Sequence, residues 1–122
     1  MVVRSVAKCA EITAGDRCQL RELLHPGKDA LALRYSLAWA RVGCGAATVP
    51  HVLRSSEVYY VLQGEGRMHI DDEQALVHPG DAIYIPPGAR QHIENTGKDE
   101  LVFLCIVDPA WRPEDETILN EQ

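Results

Sequence analysis

The sequence lacks any apolar run near the roughly 20 residues that a transmembrane helix needs. It also lacks an excess of positive charge, with 12 lysines and arginines against 18 acidic residues and a net charge of −6. This balance argues against nucleic acid and anionic membranes as partners, because both attract basic surfaces. No C-x-x-C pair occurs among the four cysteines, and the N-terminal residues are too mixed for a signal peptide. We therefore expect a cytoplasmic protein whose cysteines are reduced and pack as small apolar side chains.

Short runs of β-branched and aromatic residues separated by glycine and proline are the main pattern that is present. This pattern predicts an all-β sandwich or barrel, and 122 residues are enough for one domain with one core. Large and small residues alternate from Leu31 to Ala40, which predicts a long strand with one large-residue face. Residues 18–24 fit a short helix or a strand equally well, and their period does not decide between the two.

Two spaced motifs occupy the middle of the chain. The first is a glycine followed by a histidine, a glutamate and a second glycine, at positions Gly45, His51, Glu57 and Gly64. The second combines turn residues with polar strand residues, at positions Gly80, Pro86, Gly88, Gln91 and Asn95. Because the spacing and the turn chemistry agree in both motifs, together they are more specific than either one alone.

On these motifs the chain resembles the cupin family. The resemblance implies a jelly-roll barrel of two facing sheets with a cavity that opens at one end and, in most members, a divalent metal. It also implies a homodimer built partly from the N-terminal strands. We expect a single domain over residues 1–122, with a barrel core at about 30–108 and an N-terminal arm and C-terminal tail outside it.

Two positions depart from the family pattern. Leu53 replaces the second histidine of the first motif, and Gln91 replaces the histidine of the second motif. Since alternate residues of a strand share a face, Gln91 is predicted to point into the barrel and His92 outward, unless a bulge reverses them. The resemblance then implies His51, Glu57 and Gln91 as ligands of a divalent metal such as Zn, Mn, Fe or Ni. Glu57 is also the candidate catalytic residue, as a proton acceptor.

Two functions remain open from the sequence. The first is a metal-dependent enzyme, an isomerase, decarboxylase or dioxygenase acting on a small sugar-like or acid-like molecule. The second is a non-catalytic ligand-binding cupin without metal, in which His51 and Glu57 hydrogen-bond each other. Several further side chains have an open role, either at the cavity or at the surface: Tyr59, His69, Arg54, Arg67 and Arg90. Trp111, past the last strand, is expected either to close one barrel end or to anchor a dimer.

Overall fold

The computed structural model describes residues 1–119, which fold into two facing antiparallel sheets and confirm the predicted all-β jelly-roll barrel. The strands are β1 Ile12–Thr13, β2 Gln19–Leu24, β3 Ser36–Val42, β4 His51–Leu53, β5 Ser56–Gln63, β6 Gly66–Ile70, β7 Glu73–Val77, β8 Ala82–Ile85, β9 Arg90–Asn95, β10 Leu101–Asp108 and β11 Glu116–Ile118. The larger sheet has the order β1-β2-β3-β10-β5-β8, and the smaller has the order β11-β4-β9-β6-β7. Both described helices are three-residue 3₁₀ turns, so neither is long or apolar enough to cross a membrane.

Alternate residues of the central strands fill the space between the sheets. In β5, Glu57, Tyr59 and Val61 are buried, whereas the residues between them are more exposed. In β9, Gln91 and Ile93 are buried in the same way. The alternation of side chains along each strand therefore places Glu57 and Gln91 in the barrel interior, as predicted for Gln91. No register shift interrupts the pairing of β9 with β6, so no bulge reverses this orientation.

The turn between β5 and β6 requires glycine at position 64. Gly64 has φ +84°, a conformation that L side chains rarely adopt. A Cβ atom there would also lie 2.5 Å from the carbonyl oxygen of Glu100, closer than real Cβ contacts. The first motif thus ends on glycine because the hairpin needs both a positive φ and close backbone approach.

The long strand predicted over residues 31–40 is wrong in its extent. The strand β3 begins only at Ser36, and its buried side chains are the small ones, including Ala38 and Ala40. Trp39 points outward instead, with the guanidinium carbon of Arg21 5.4 Å from its ring centroid. The small side chains of β3 face the space between the sheets, and Ala38 lines the cavity there. The large side chains of β3 lie on the opposite, outer face of the sheet.

Parts of the two segments expected outside the barrel core carry strands of its sheets. Residues 18–24 resolve as a strand, β2, which pairs with β3, and β1 extends the same sheet. At the other end β11 pairs with β4 in the smaller sheet. Of the tail predicted over 114–122, the last three residues lie outside the described residues. Both sheets therefore extend beyond residues 30–108, and the added strands border the cavity described next.

Candidate functional site

A cavity of about 280 Å³ opens between the two sheets. Its polar lining includes Asp16, His51, Glu57, Tyr59 and Glu116, all facing one space. The rest of the lining is largely apolar and comes from several strands: Ile12, Leu20, Ala38, Cys105, Val107 and Trp111 among others. A wider groove of about 580 Å³ runs between β7 and β8, but no histidine lines it. A concave, mostly apolar space with a few convergent polar groups is the usual form of a small-molecule site.

His51 is buried in β4 with 2% of its surface exposed. Its Nδ1 lies 2.8 Å from the carbonyl oxygen of Val49. Because a carbonyl can only accept, Nδ1 must carry the proton and donate it. In the neutral form of the ring, Nε2 then carries no proton. This atom lies 3.7 Å from Asp16 Oδ2, beyond hydrogen-bond distance.

Glu57 is buried in β5, where its Oε1 accepts a hydrogen bond of 3.0 Å from Gln91 Nε2. Burial raises the pKa of Glu57 to about 8; the Gln91 hydrogen bond opposes this rise, and the carboxylates of Asp16 and Glu116 add to it. In the absence of a bound cation the carboxyl group is thus largely protonated at neutral pH. The metal-free alternative predicted a hydrogen bond between His51 and Glu57. Within the described residues these two side chains share none.

Gln91 lies directly opposite His51 in the pairing of β9 with β4, and 1% of its surface is exposed. The amide is occupied at both ends, since its oxygen accepts a 3.1 Å hydrogen bond from the Tyr59 hydroxyl and its nitrogen donates to Glu57. Tyr59, Gln91 and Glu57 therefore form a buried hydrogen-bonded chain. In this arrangement Gln91 positions the Glu57 carboxyl group.

Besides Glu22, which is paired with Lys28, two acidic residues that line the cavity were missed from the sequence. Asp16 lies in the turn between β1 and β2, where its Oδ1 accepts the backbone N–H of Cys18 at 3.2 Å. Glu116 lies in β11, and its Oε2 accepts the indole N–H of Trp111 at 3.4 Å. Burial raises the pKa of Glu116 as well. Neither residue belongs to a motif, and only the pairing of the terminal strands reveals them.

Trp111 lies over the cavity because the chain after β10 is fixed at two points. Its backbone N–H donates to Ser36 Oγ at 3.0 Å, and its carbonyl accepts from His25 Nε2 at 2.7 Å. Gly27 N–H donates to His25 Nδ1, so the proton of His25 is on Nε2. Of the two roles considered for Trp111, the structure supports the closing of one barrel end.

The remaining candidate side chains lie away from the cavity. His69 and His92 face outward from β6 and β9, as parity predicted for His92. Arg67 donates to Gln74 on the same outer side. No arginine lines the cavity in the described part of the chain, so the idea of an arginine-held carboxylate is not supported.

The cysteines carry no sign of nucleophilic chemistry. All four are free, as predicted, and Cys18 and Cys105 are buried. Burial is the main cause that raises the pKa of both thiols. The carboxylate of Asp16 raises the pKa of Cys18 further, and that of Glu57 raises the pKa of Cys105 further. Because the thiolate is the reactive form, these two side chains act as packing residues beside the site.

A family profile described as "Cupin domain" matches residues 39–107. An uncharacterized protein of Methanocaldococcus jannaschii is 44% identical over 102 residues, covering 83% of this chain and 81% of that protein. An oxalate-binding protein of Thermotoga maritima is 37% identical over 51 residues, 42% of each chain. A solved structure titled as a predicted oxalate decarboxylase from the same organism has a TM-score of 0.78 and 23% identity, covering 88% of this chain and 99% of that chain. The structural likeness supports the fold.

Proposed function

Since this chain belongs to the cupin family, we propose that its cavity binds a small polar molecule together with a divalent metal. One observation carries the proposal: the buried His51 directs an Nε2 without a hydrogen bond toward the Asp16 carboxyl group, inside the cavity between the sheets. The raised pKa values of Glu57 and Glu116 reflect burial first and then repulsion among the cavity carboxylates. A bound cation would relieve that repulsion and make the charged forms favourable.

By the chemistry of its donors the cavity suits a metal at His51, Glu57 and Asp16. Their ligand atoms do not all lie within 4.8 Å of one another, so side-chain movements would be needed to bring them onto one ion. Imidazole nitrogen and carboxylate oxygen are ligands for Zn²⁺, Mn²⁺, Fe²⁺ and Ni²⁺. The Nδ1–H of His51 is held by a backbone carbonyl, which is how metal-binding histidines are commonly oriented. Gln91 remains a predicted ligand, but as arranged its amide supports Glu57 instead. Leu53, 2% exposed, is buried at the position where the family pattern has a fourth ligand, and its side chain has no donor atom for a metal.

A metal bound there would polarise a carbonyl or hydroxyl group of the bound molecule. The residues of the chain supply the proton chemistry. Without a metal, the pKa of Glu57 near 8 lets its carboxyl group accept or donate a proton near neutral pH. A bound cation would keep the carboxylate ionised, as a ligand or a proton acceptor. Gln91 and Tyr59 hold that carboxyl group in one orientation. We therefore favour proton transfer, as in an isomerase, over dioxygenase chemistry, because the two-histidine, one-carboxylate set of non-haem iron oxygenases is missing.

The cavity is suited to a small molecule bearing hydroxyl or carbonyl groups. Its volume of about 280 Å³ lies at the lower end for ligand pockets, which are roughly 300–1,000 Å³. A free dicarboxylate would meet the carboxyl groups of Asp16 and Glu116 with no guanidinium to balance them. Lys28 also lines the cavity, but it is paired with Glu22 at 2.6 Å. Oxalate, named for one relative, would thus require the metal as its partner.

The test is calorimetric titration of Zn²⁺ and Mn²⁺ into protein stripped with EDTA. We expect His51→Gln to weaken binding at the cavity at least about tenfold, since loss of even an outer partner of a metal ligand costs 10–100-fold. His78→Gln is the matched control, because His78 is an exposed histidine next to a turn, 3.7 Å from Asp81. Binding that is equal in all three proteins would contradict the metal proposal.

Metal-free ligand binding is the second candidate. It is favoured by the hydrogen bond between Gln91 and Glu57, which already satisfies one Glu57 oxygen without a cation. Under this alternative, small hydroxylated molecules would raise the melting temperature of EDTA-treated protein. Under the metal-dependent function the same molecules would raise it only after metal is restored.

We also propose that a second copy of the chain covers the outer apolar face of the larger sheet. This face consists of Leu37, Trp39, Val58, Tyr60, Tyr84, Leu104 and Ile106. Tyr84 is 62% exposed and Tyr60 is 41% exposed, although both are large and apolar. Contiguous apolar surface of this kind marks protein interfaces.

The cytoplasmic location stays a prediction.

The dimer proposal predicts that Tyr84→Lys is monomeric in sedimentation velocity, because a buried unpaired charge would oppose association. Leu76→Lys is the control, since Leu76 is 56% exposed on the smaller sheet. The wild type and the control should sediment as dimers. A monomeric wild type, or a dimeric Tyr84→Lys, would contradict the proposal.

A further inference from the structure

Two histidines that the barrel turns outward meet on the surface of the smaller sheet. His69 of β6 and His92 of β9 are direct cross-strand partners. Their rings are stacked, with centroids 4.1 Å apart and planes 8° from parallel. Both side chains are partly buried, so the strands limit where their nitrogens lie. Neither residue belongs to the cavity, and strand pairing alone brings them together.

Glu94 adds a carboxylate to this pair. It lies two residues after His92 and therefore on the same face of β9. Its Oε1 is hydrogen-bonded to His69 Nε2. One ligand atom from each of the three residues lies within 4.8 Å of the others. Ligand atoms bound to tetrahedral zinc at about 2.0–2.1 Å lie roughly 3.3 Å from one another. Modest side-chain rotations would bring the three ligand atoms to that separation.

We propose that His69, His92 and Glu94 form a second metal site, for Zn²⁺, on the outer surface of the smaller sheet. Two neutral imidazoles and one carboxylate are zinc donors, and three protein ligands leave a fourth position for water. The site is independent of the proposed cavity function, although β9 carries residues of both: Gln91 faces inward and His92 faces outward.

The neighbouring charges set the expected affinity. Arg67 lies opposite Glu94 in the β6–β9 pairing, but its guanidinium donates to Gln74 at 2.9 Å. Arg90 lies two residues before His92, on the same face. The positive charges of Arg67 and Arg90 repel a metal ion. We therefore expect the site to bind Zn²⁺ with micromolar affinity, more weakly than structural zinc sites do. The ion would link β6 to β9 across the surface.

The experiment is calorimetric titration of EDTA-treated protein with Zn²⁺, in a Cys9→Ser, Cys44→Ser background. This background removes the two cysteines that are not buried and could bind zinc themselves. We expect two equivalents bound. His69→Gln and His92→Gln should each lose one equivalent or weaken it at least tenfold, whereas His78→Gln should lose neither. Glutamine is polar and similar in size to histidine at these partly buried positions, so the variants should fold.

The two metal proposals fail separately in this experiment. If His51→Gln retains both equivalents while His92→Gln loses one, the outer site stands and the cavity metal does not. If His69→Gln and His92→Gln bind zinc with unchanged stoichiometry and affinity, the outer site is overturned. Loss of both equivalents in His51→Gln would also overturn it, because the outer ligands would then not act on their own.

Discussion

The Glu57→Gln variant, freed of metal with EDTA, should lose most of the pH dependence that the wild type shows between pH 5 and 8. The pKa of Glu57 is raised from 4.5 to about 8 in the folded protein, chiefly by burial. Between these values the folded state binds a proton that the unfolded state has released. The stability associated with this proton is therefore fully present below about pH 4.5 and is lost as the pH rises to about 8.

The expected size of this effect is large. Each unit of pKa shift corresponds to about 1.4 kcal/mol, so the free energy of unfolding should fall on the order of 4 kcal/mol across this range in the wild type. Denaturant unfolding at several pH values, at one protein concentration, measures it. Glu73→Gln, at an exposed position of β7, is the control and should behave as the wild type. Equal slopes in Glu57→Gln and the wild type would refute the assignment.

Phe103→Ala should reduce the free energy of unfolding by about 3–5 kcal/mol. Phe103 is 1% exposed in β10, and its ring centroid lies 4.5 Å from that of Tyr59. Removing the ring leaves a cavity beneath Tyr59, whose hydroxyl holds the amide of Gln91. The change thus loosens both the core and the support of Glu57.

The control for this core variant is Leu76→Ala. Leu76 is 56% exposed, and its truncation should change stability by less than about 0.5 kcal/mol. Chemical denaturation of both variants at fixed pH and concentration compares them directly. A loss below about 1 kcal/mol in Phe103→Ala would mean that the ring is not part of a closely packed interior.

Local patterns predicted the middle of the chain well. Glycine and proline positions set the turns, and period-two alternation set which side chains of β5 and β9 face inward. Gln91 and Glu57 therefore converge as parity indicated. At β3 the alternation predicted a strand but not which of its faces is buried, because a pattern of large and small residues does not tell which face has room for large side chains. There the small side chains face inward and Trp39 faces outward.

Long-range pairing was beyond the sequence. Asp16 and Glu116 reach the cavity only because β2 pairs with β3 and β11 pairs with β4. Neither segment has spacing or turn chemistry that fixes its partner strand. The pairing of His69 with His92 depends in the same way on the register of β6 against β9. Motif spacing thus located His51 and Glu57 of the cavity lining, and tertiary structure added Asp16 and Glu116.

An anomalous difference map from crystals grown without chelator, with data collected above the absorption edge of the metal present, tests the central claim most directly. The account predicts a peak inside the cavity, within bonding distance of His51 Nε2 and the Glu57 carboxylate. Replacement of His51 by glutamine should remove that peak. A cavity without anomalous density in the wild type, after soaking with Zn²⁺ or Mn²⁺ at neutral pH, would contradict it.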